Sequence, residues 1–139
     1  MRWLTLGLLI VVTTWPTDAA ACRCKEPSLR AAYTRADAVA RVRIKAVTTL
    51  SDGSVRADEE VLDAWKVALP QSLSIFSGDD CVYAMTEGET YVLYLSRSRE
   101  LLFGTYVCRG NRLESEAKDS LTWLKRYGLR SAISSSPVR

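Results

Sequence analysis

The chain has 139 residues, with 19 lysines and arginines, 16 aspartates and glutamates and a formal net charge of +3. This length suffices for one domain with its own hydrophobic core and is too short for two ordinary domains. The mild positive charge is smaller than the basic footprint of a nucleic-acid-binding protein. Histidine is absent, which excludes serine-histidine and cysteine-histidine catalysis and removes the commonest neutral metal ligand.

The first 21 residues have the pattern of a secretory signal peptide. Arg2 provides a positive start, residues 3–12 form a short apolar run, and residues 19–21 are alanines, which suit a cleavage site. The apolar run is too short for a membrane span, because a bilayer core requires about 20 apolar residues. We therefore predict a secreted or periplasmic protein with no membrane span, whose mature chain begins at Cys22.

All four cysteines lie in the predicted exported part, at Cys22, Cys24, Cys81 and Cys108. An even number in an oxidising compartment predicts two disulfides. Cys22 and Cys24 would pair only with strain, since extended residues two apart stand about 6.6 Å apart. Each should instead reach a distant cysteine, in either of two pairings, with about 4 kcal/mol of stabilisation per bridge. A structural zinc site is the weaker alternative, because Cys81 and Cys108 lack a second ligand nearby in sequence.

The first half of the exported chain changes from helical to strand periodicity. Residues 27–37 carry apolar side chains at helical spacing, and the next segment, residues 38–47, alternates apolar with polar or basic side chains. The dipeptide Asp52-Gly53 favours a tight turn. Residues 55–66 are predicted to form a second strand, in which the apolar phase slips near Glu60 and Val61 as a β-bulge would cause. The two strands are predicted to form a hairpin.

The second half contains more strands and a second helix. Further strands are predicted over residues 73–75, 90–96 and 101–108. Residues 113–127 place apolar side chains at intervals of three and four, and Gly128 follows as a helix stop. Residues 129–139 have too little apolar content to pack and are predicted to form a flexible tail.

These elements predict a mainly β fold over residues 22–128. Five short strands, a short N-terminal helix and a C-terminal amphipathic helix fit a five-stranded antiparallel barrel of the OB-fold type, reinforced by two disulfides. A β-sandwich is the alternative architecture.

Six segments form a more specific pattern: Cys22-Arg23-Cys24, Ala-Asp-Ala-Val at residues 36–39, Val-Leu-Asp-Ala-Trp-Lys at 61–66, Cys81, Glu-Gly-Glu-Thr-Tyr-Val-Leu-Tyr at 87–94, and Cys108. The pattern resembles the netrin-like domains and, within them, the N-terminal domain of the tissue inhibitors of metalloproteinases, closest to the short single-domain bacterial members. The resemblance covers nearly the whole exported chain, and its most specific element is the CxC motif at the cleavage point. It implies disulfides between Cys22 and Cys81 and between Cys24 and Cys108.

The resemblance also implies a mechanism. In the animal inhibitors, the amine and carbonyl oxygen of the N-terminal cysteine bind the catalytic zinc of a protease, which keeps one coordination position open. On this chain, Cys22 would chelate that zinc through its main chain, and Arg23, large where the animal inhibitors carry a small residue, would point toward the specificity pocket. Cys24 and Lys25 would complete the binding segment.

The partner implied is a zinc metalloprotease or another extracellular protein. The chain itself is expected to be a monomer that needs no cofactor, binds no nucleic acid and catalyses no reaction. Its neighbouring carboxyl groups, Glu59 with Glu60 and Asp79 with Asp80, do not form catalytic pairs, because adjacent residues on a strand point to opposite faces.

Two other functions remain open. A netrin-like module that binds proteins without inhibiting a protease would use the barrel surface and would not depend on the Cys22 amine. A lipid-anchored envelope protein would result if the alanines at 19–21 and Cys22 formed a lipoprotein signal. Lipidation would consume the Cys22 thiol and amine, and it would therefore exclude both a Cys22 disulfide and zinc chelation.

Overall fold

The computed structural model describes residues 22–78, 81–98, 100 and 102–135. The predicted signal peptide, residues 1–21, lies outside the described residues. Within the part of the chain that is described, no helix combines the length and the apolar character needed to cross a membrane.

Two α-helices and nine short or medium strands make up the regular structure of the described residues. The helices are α1 (Leu29–Arg35) and α2 (Lys118–Tyr127), and a 3₁₀ turn at Glu114–Glu116 precedes α2. The strands are β1 (Ala38–Thr49), β2 (Val55–Trp65), β3 (Leu69–Pro70), β4 (Ser72–Ser77), β5 (Thr90–Arg97), β6 (Phe103–Gly104), β7 (Arg112–Leu113), β8 (Arg130–Ser131) and β9 (Ile133–Ser134).

Five strands close into a barrel in the order β1-β2-β4-β6-β5, and β5 returns to pair with β1. This confirms the predicted mainly β fold, with a closed barrel and two helices. The pairs are antiparallel except for β4 and β6, which run parallel. The parallel pair is the difference from the purely antiparallel barrel that the sequence predicted. It arises because strand directions cannot alternate all the way round a closed ring of five strands, so one neighbouring pair must run parallel.

The long strand β1 pairs with both β2 and β5, because β-bulges bend the β1–β2 hairpin. One register shift leaves Leu62 as the extra residue on β2, and a second leaves Lys45 as the extra residue on β1. A bulge increases the local twist of a strand and allows the sheet to curve toward closure. The phase slip predicted near Glu60 and Val61 therefore marks a real bulge, whose extra residue, Leu62, directly follows Val61.

The hydrophobic core has two parts, one inside the barrel and one beneath the helices. Alternate residues of the barrel strands fill the interior, including Val42, Ile44, Ile75 and Leu93. The second cluster lies between the helices and the outer face of the barrel, and it contains Ala32, Val39, Trp65, Val92, Tyr94 and Leu124. Strand β5 contributes to both clusters, which explains its nearly continuous apolar sequence.

Helix α1 is fixed at both ends by side chains. Ser28 begins the helix, and its Oγ accepts a hydrogen bond from the Ala31 amide at 3.2 Å, as N-cap serines do. The helix therefore starts two residues after Pro27, where the sequence placed its first turn. At the other end, Lys66 Nζ donates to the carbonyl oxygens of Tyr33, at 2.9 Å, and Ala36. The lysine caps the helix and attaches it to the end of β2.

Helix α2 ends where the sequence predicted, at Gly128, although the glycine is not left-handed. Its φ is −76°, and a Cβ there would lie 2.6 Å from the Leu124 carbonyl oxygen and 2.8 Å from Trp65 Cδ1. Glycine is thus required by close packing against the barrel and not by backbone conformation.

The segment predicted as a flexible tail is partly ordered, which corrects that prediction. Strand β8 pairs with the end of β2 through Ala64 and Trp65, and β9 runs parallel to β3. Main-chain hydrogen bonds hold these residues in place. Their side chains remain largely in solvent, and the sequence therefore shows no periodic apolar signal in this segment. Residues 136–139 lie outside the described part.

The predicted fifth strand, residues 101–108, is also shorter in the structure, where only Phe103 and Gly104 pair as β6. The chain then leaves the sheet for a loop in which Cys108 has a φ of 71° and Gly110 a φ of 95°. These left-handed positions are incompatible with a continuing strand.

Candidate functional site

The N-terminal segment of the described chain, residues 22–27, has no regular secondary structure and lies against the barrel through two disulfides. Cys22 is bonded to Cys81 and Cys24 to Cys108, with Cα–Cα distances of 5.6 and 5.7 Å. The pairing implied by the family resemblance is therefore present. Two covalent bonds within three residues remove most of the conformational freedom of this segment.

The structure brings the four predicted binding residues together as one stapled surface segment. Cys22 is half-buried, and Arg23, Cys24 and Lys25 are exposed. Next to them, Glu26 forms an ion pair with Arg112 at 2.7 Å, which adds a polar attachment to β7. The segment is thus presented on the surface at a fixed position, and its cationic side chains extend into solvent.

The two loops that carry the distant cysteines support each other. The amide of Val107 donates to the carbonyl oxygen of Cys81 at 3.0 Å. On the other side of Cys81, the Tyr83 amide donates to Ser77 Oγ at 2.7 Å, which ties that loop to the end of β4. Both disulfides therefore end on backbone that is itself hydrogen-bonded to the barrel.

A buried asparagine holds the loop that carries Cys108. Asn111 Oδ1 accepts the Tyr94 amide at 2.8 Å, and Nδ2 donates to Thr105 Oγ1 at 2.8 Å and to the Tyr106 carbonyl oxygen at 3.1 Å. Thr105 Oγ1 in turn donates to the Tyr94 carbonyl oxygen at 3.0 Å. These bonds replace the strand pairing that the loop lacks, and they hold the Cys24–Cys108 bridge in place.

Sequence reasoning did not identify Asn111 as a positioning residue. The available signal was the sequence Cys108-Arg109-Gly110-Asn111, in which a glycine and an asparagine after a cysteine are typical of a turn.

Gly110 allows the same loop to lie directly on α1. A Cβ on this residue would be 3.0 Å from Ala32 Cβ and 3.6 Å from Pro27 Cγ. The positive φ of Gly110 also disfavours any other residue. The stapled segment, helix α1 and the Cys108 loop therefore form one packed unit.

The adjacent carboxyl groups in β2 lie on opposite faces, as predicted. Glu59 is buried inside the barrel, and neither carboxyl oxygen has a hydrogen-bond partner among the described residues. Desolvation, together with the nearby charge of Asp58, raises its pKa well above the ordinary value of 4.5. Glu60 faces outward and pairs with Lys45 at 3.1 Å. Asp79 and Asp80 lie outside the described residues.

The basic face predicted for β1 is only partly a solvated surface. Arg41 lies at the edge of a cleft of about 540 Å³ between the barrel and α2. Its Nε donates to Asp63 at 2.6 Å and its Nη1 to Glu114 at 2.9 Å, and Arg130 also pairs with Asp63. This ion-pair network joins β1, β2, β8 and the 3₁₀ turn. Its two arginines are paired with its two carboxylates, which is consistent with a structural role.

Among the described residues, no group of three or more cysteine, aspartate or glutamate side chains is arranged to hold a metal ion. In comparisons with known proteins, the chain matches no family model and no curated protein sequence.

Proposed function

We propose that this chain is an exported, netrin-like inhibitor of zinc proteases that acts through the main chain of Cys22. The observation that supports the proposal is the CxC segment bonded to the barrel at both of its cysteines, with Arg23 exposed between them. Cleavage before Cys22 would create an α-amine on a residue whose side chain is already immobilised.

An α-amine and the carbonyl oxygen of the same residue can bind one metal ion together, closing a small chelate ring. Catalytic zinc sites keep a position open for water or substrate and accept a fifth ligand. An α-amine has a pKa of about 8, and it loses its proton readily when a metal competes for its lone pair. Occupation of that position would displace the water that attacks the substrate.

The rigid attachment of the segment favours this mechanism energetically. Binding normally costs about 0.5–1.5 kcal/mol for each flexible group that becomes ordered. The two disulfides, together with the Asn111 hydrogen bonds that hold the Cys108 loop, already fix Cys22 and Cys24 against the barrel. More of the interaction energy with a protease would therefore remain as affinity.

The lipoprotein alternative is incompatible with the Cys22–Cys81 disulfide. A lipid thioether requires the Cys22 sulfur, which is bonded to Cys81 in the structure. We therefore prefer an exported protein whose Cys22 carries no lipid.

The test compares three forms of the oxidised exported protein: the natural form, a form with one alanine added before Cys22, and a form acetylated at the α-amine. Both changes remove the chelating amine and leave the barrel and disulfides intact. On the proposed mechanism, inhibition of a sensitive zinc protease should fall by at least about 100-fold. Unchanged melting temperatures should accompany the loss and show that the fold is retained.

Equal inhibition by the natural and extended forms would overturn the chelation mechanism. N-terminal sequencing and the intact mass of the exported protein should first establish the cleavage point, both disulfides and the absence of lipid.

A second candidate, a protein-binding module without inhibitory activity, is favoured by an aromatic groove on the helices. Tyr33, Trp123 and Tyr127 form a continuous row, with ring centroids 5.3 and 5.4 Å apart, beside Arg30. Tyr127 is 57% exposed, and exposed aromatic side chains are enriched at protein interfaces. Absence of inhibition by all three forms, across a panel of secreted zinc proteases, would favour this second function.

A further inference from the structure

The guanidinium of Arg109 has two buried donors that no described residue satisfies. Its Nε and Nη2 are both shielded from solvent and have no hydrogen-bond partner in the described structure. These two nitrogens lie on one edge of the guanidinium, and this edge binds anions through two parallel N–H donors. The guanidinium carbon lies 5.2 Å from the centroid of the Tyr106 ring, in a cation–π contact that leaves the donors in the plane of the group free to bind a ligand.

A small cavity adjoins this guanidinium. It has a volume of about 20 Å³ and is lined by Pro27, Ala32, Arg35, Tyr106, Cys108 and Arg109. A cavity of this size holds one water molecule or one monoatomic ion. Two of the lining residues are arginines, and none of them carries a carboxyl group.

Arg109 as a whole is half-buried, but the edge of its guanidinium that carries these two donors is shielded from solvent. A shielded N–H donor that gains no partner destabilises the folded state, because its lost hydration is not replaced. A water molecule in the cavity would accept hydrogen bonds from these two donors. An anion would accept the same bonds and would also be attracted by the positive charges of the two lining arginines, Arg109 and Arg35.

We propose that this cavity is a binding site for one small monovalent anion of the halide type, held by Nε and Nη2 of Arg109. The volume is too small for sulfate or phosphate, and the burial of both nitrogens excludes a carboxylate carried by a macromolecular partner. The anion would connect α1 to the loop that carries Cys108, behind the stapled segment. The proposal does not depend on protease inhibition.

Because the anion would bind only the folded state, it should raise the melting temperature in proportion to the logarithm of its concentration once the site is filled. The oxidised exported protein should therefore melt several degrees higher in sodium chloride than in sodium gluconate at equal ionic strength. Gluconate is too large for the cavity. The difference should disappear in Arg109→Met, which retains a long apolar side chain and removes the two donors.

Arg126→Met is the matched control. Arg126 also stacks on a tyrosine, with its guanidinium carbon 5.3 Å from the Tyr127 centroid, but it is exposed. This variant should keep the full difference between chloride and gluconate. A difference that persists in Arg109→Met would reveal a general salt effect and would overturn the proposal.

A second measurement applies to the unmodified protein if Arg109→Met does not fold. Crystals grown in sodium bromide should show an anomalous peak within about 3.5 Å of Nε and Nη2, since bromide scatters anomalously and resembles chloride. A water molecule at that position in bromide, with equal melting temperatures in the two salts, would contradict anion binding.

Discussion

Glu59 is a carboxyl group enclosed by the apolar interior of a barrel. Its pKa is raised in the folded state mainly by desolvation and further by Asp58. In the unfolded chain the same group ionises near 4.5, so between that pH and the higher folded-state pKa only the folded protein holds the proton. The contribution of Glu59 to the free energy of unfolding is therefore least unfavourable at low pH and declines as pH rises above about 4.5.

We predict that Glu59→Leu stabilises the protein at pH 8 by at least about 1 kcal/mol, because it removes a buried group that becomes costly when ionised. The gain should shrink as the pH is lowered to 4.5. Chemical denaturation at several pH values measures both effects. Glu60→Gln, at the outward-facing neighbour, is the control and should change stability by less than about 0.5 kcal/mol. A pH-independent difference between wild type and Glu59→Leu would refute the assignment.

On the proposed mechanism, Arg23 would determine which proteases the inhibitor accepts. Its charged side chain is exposed between the two disulfides, and entry of a guanidinium into a deep apolar pocket is unfavourable without a partner. Proteases with acidic or wide pockets beside the zinc should therefore be preferred.

We predict that Arg23→Thr shifts inhibition toward proteases with deep apolar pockets by about 10-fold or more, as expected for relief of a buried charge. Inhibition constants for a panel of zinc proteases measure the shift. Lys25→Thr removes a charge from the same segment and should leave the ranking of targets unchanged. An unchanged ranking with Arg23→Thr would show that this side chain does not enter the pocket.

At the scale of elements, the hydrogen bonds of one side chain take the place of strand pairing in the loop between β6 and β7. Asn111 supplies one acceptor and two donors to main-chain and side-chain groups that the short β6 leaves unpaired. The loop also carries Cys108, so its stability governs the position of the stapled segment.

We predict that Asn111→Ala lowers the free energy of unfolding by about 1–3 kcal/mol for each buried group left without a partner. Denaturant unfolding of the oxidised protein gives the value. Thr122→Ala is a suitable control, because Thr122 Oγ1 makes a single exposed hydrogen bond to the Lys118 carbonyl oxygen. If both variants lose the same small amount, the asparagine network does not hold the loop.

At the scale of the whole molecule, two disulfides attach the segment that contains Cys22 and Cys24 to the second half of the barrel. They connect residues separated by 59 and 84 positions, and cross-links over such distances restrict the unfolded chain strongly. The barrel itself is closed by the two-residue strand β6, so the bridges reinforce the part of the fold with the least strand pairing.

We predict that the double variant Cys22→Ser with Cys81→Ser costs about 2–5 kcal/mol and lowers the melting temperature accordingly. Thermal unfolding of this variant and of the oxidised and fully reduced wild type would show the expected order, with the reduced protein least stable. Identical melting of oxidised and reduced protein would mean that the bridges do not contribute.

Most of the fold was predictable because its signals are local. The alternation along β1, the continuous apolar run of β5 and the three-to-four spacing in α2 each report which face of an element is buried. The bounds of β1 and β5 agree with the structure within two residues, and α2 ends as predicted but begins at Lys118, five residues after its predicted start. The short strands β8 and β9 were missed because main-chain pairing, which has no sequence periodicity, holds them.

The sequence by itself determined the mainly β class, the five barrel strands and the even set of cysteines. The strands were predictable because the periodicity of apolar residues reports which side chains of each segment are buried. Its resemblance to the netrin-like domains indicated the cysteine pairing. Only the tertiary structure decided the parallel β4–β6 pair, the burial of Glu59, the cap that Lys66 places on α1 and the unsatisfied edge of Arg109. Each of these depends on which distant residues closure of the barrel brings together, and no local pattern encodes that proximity.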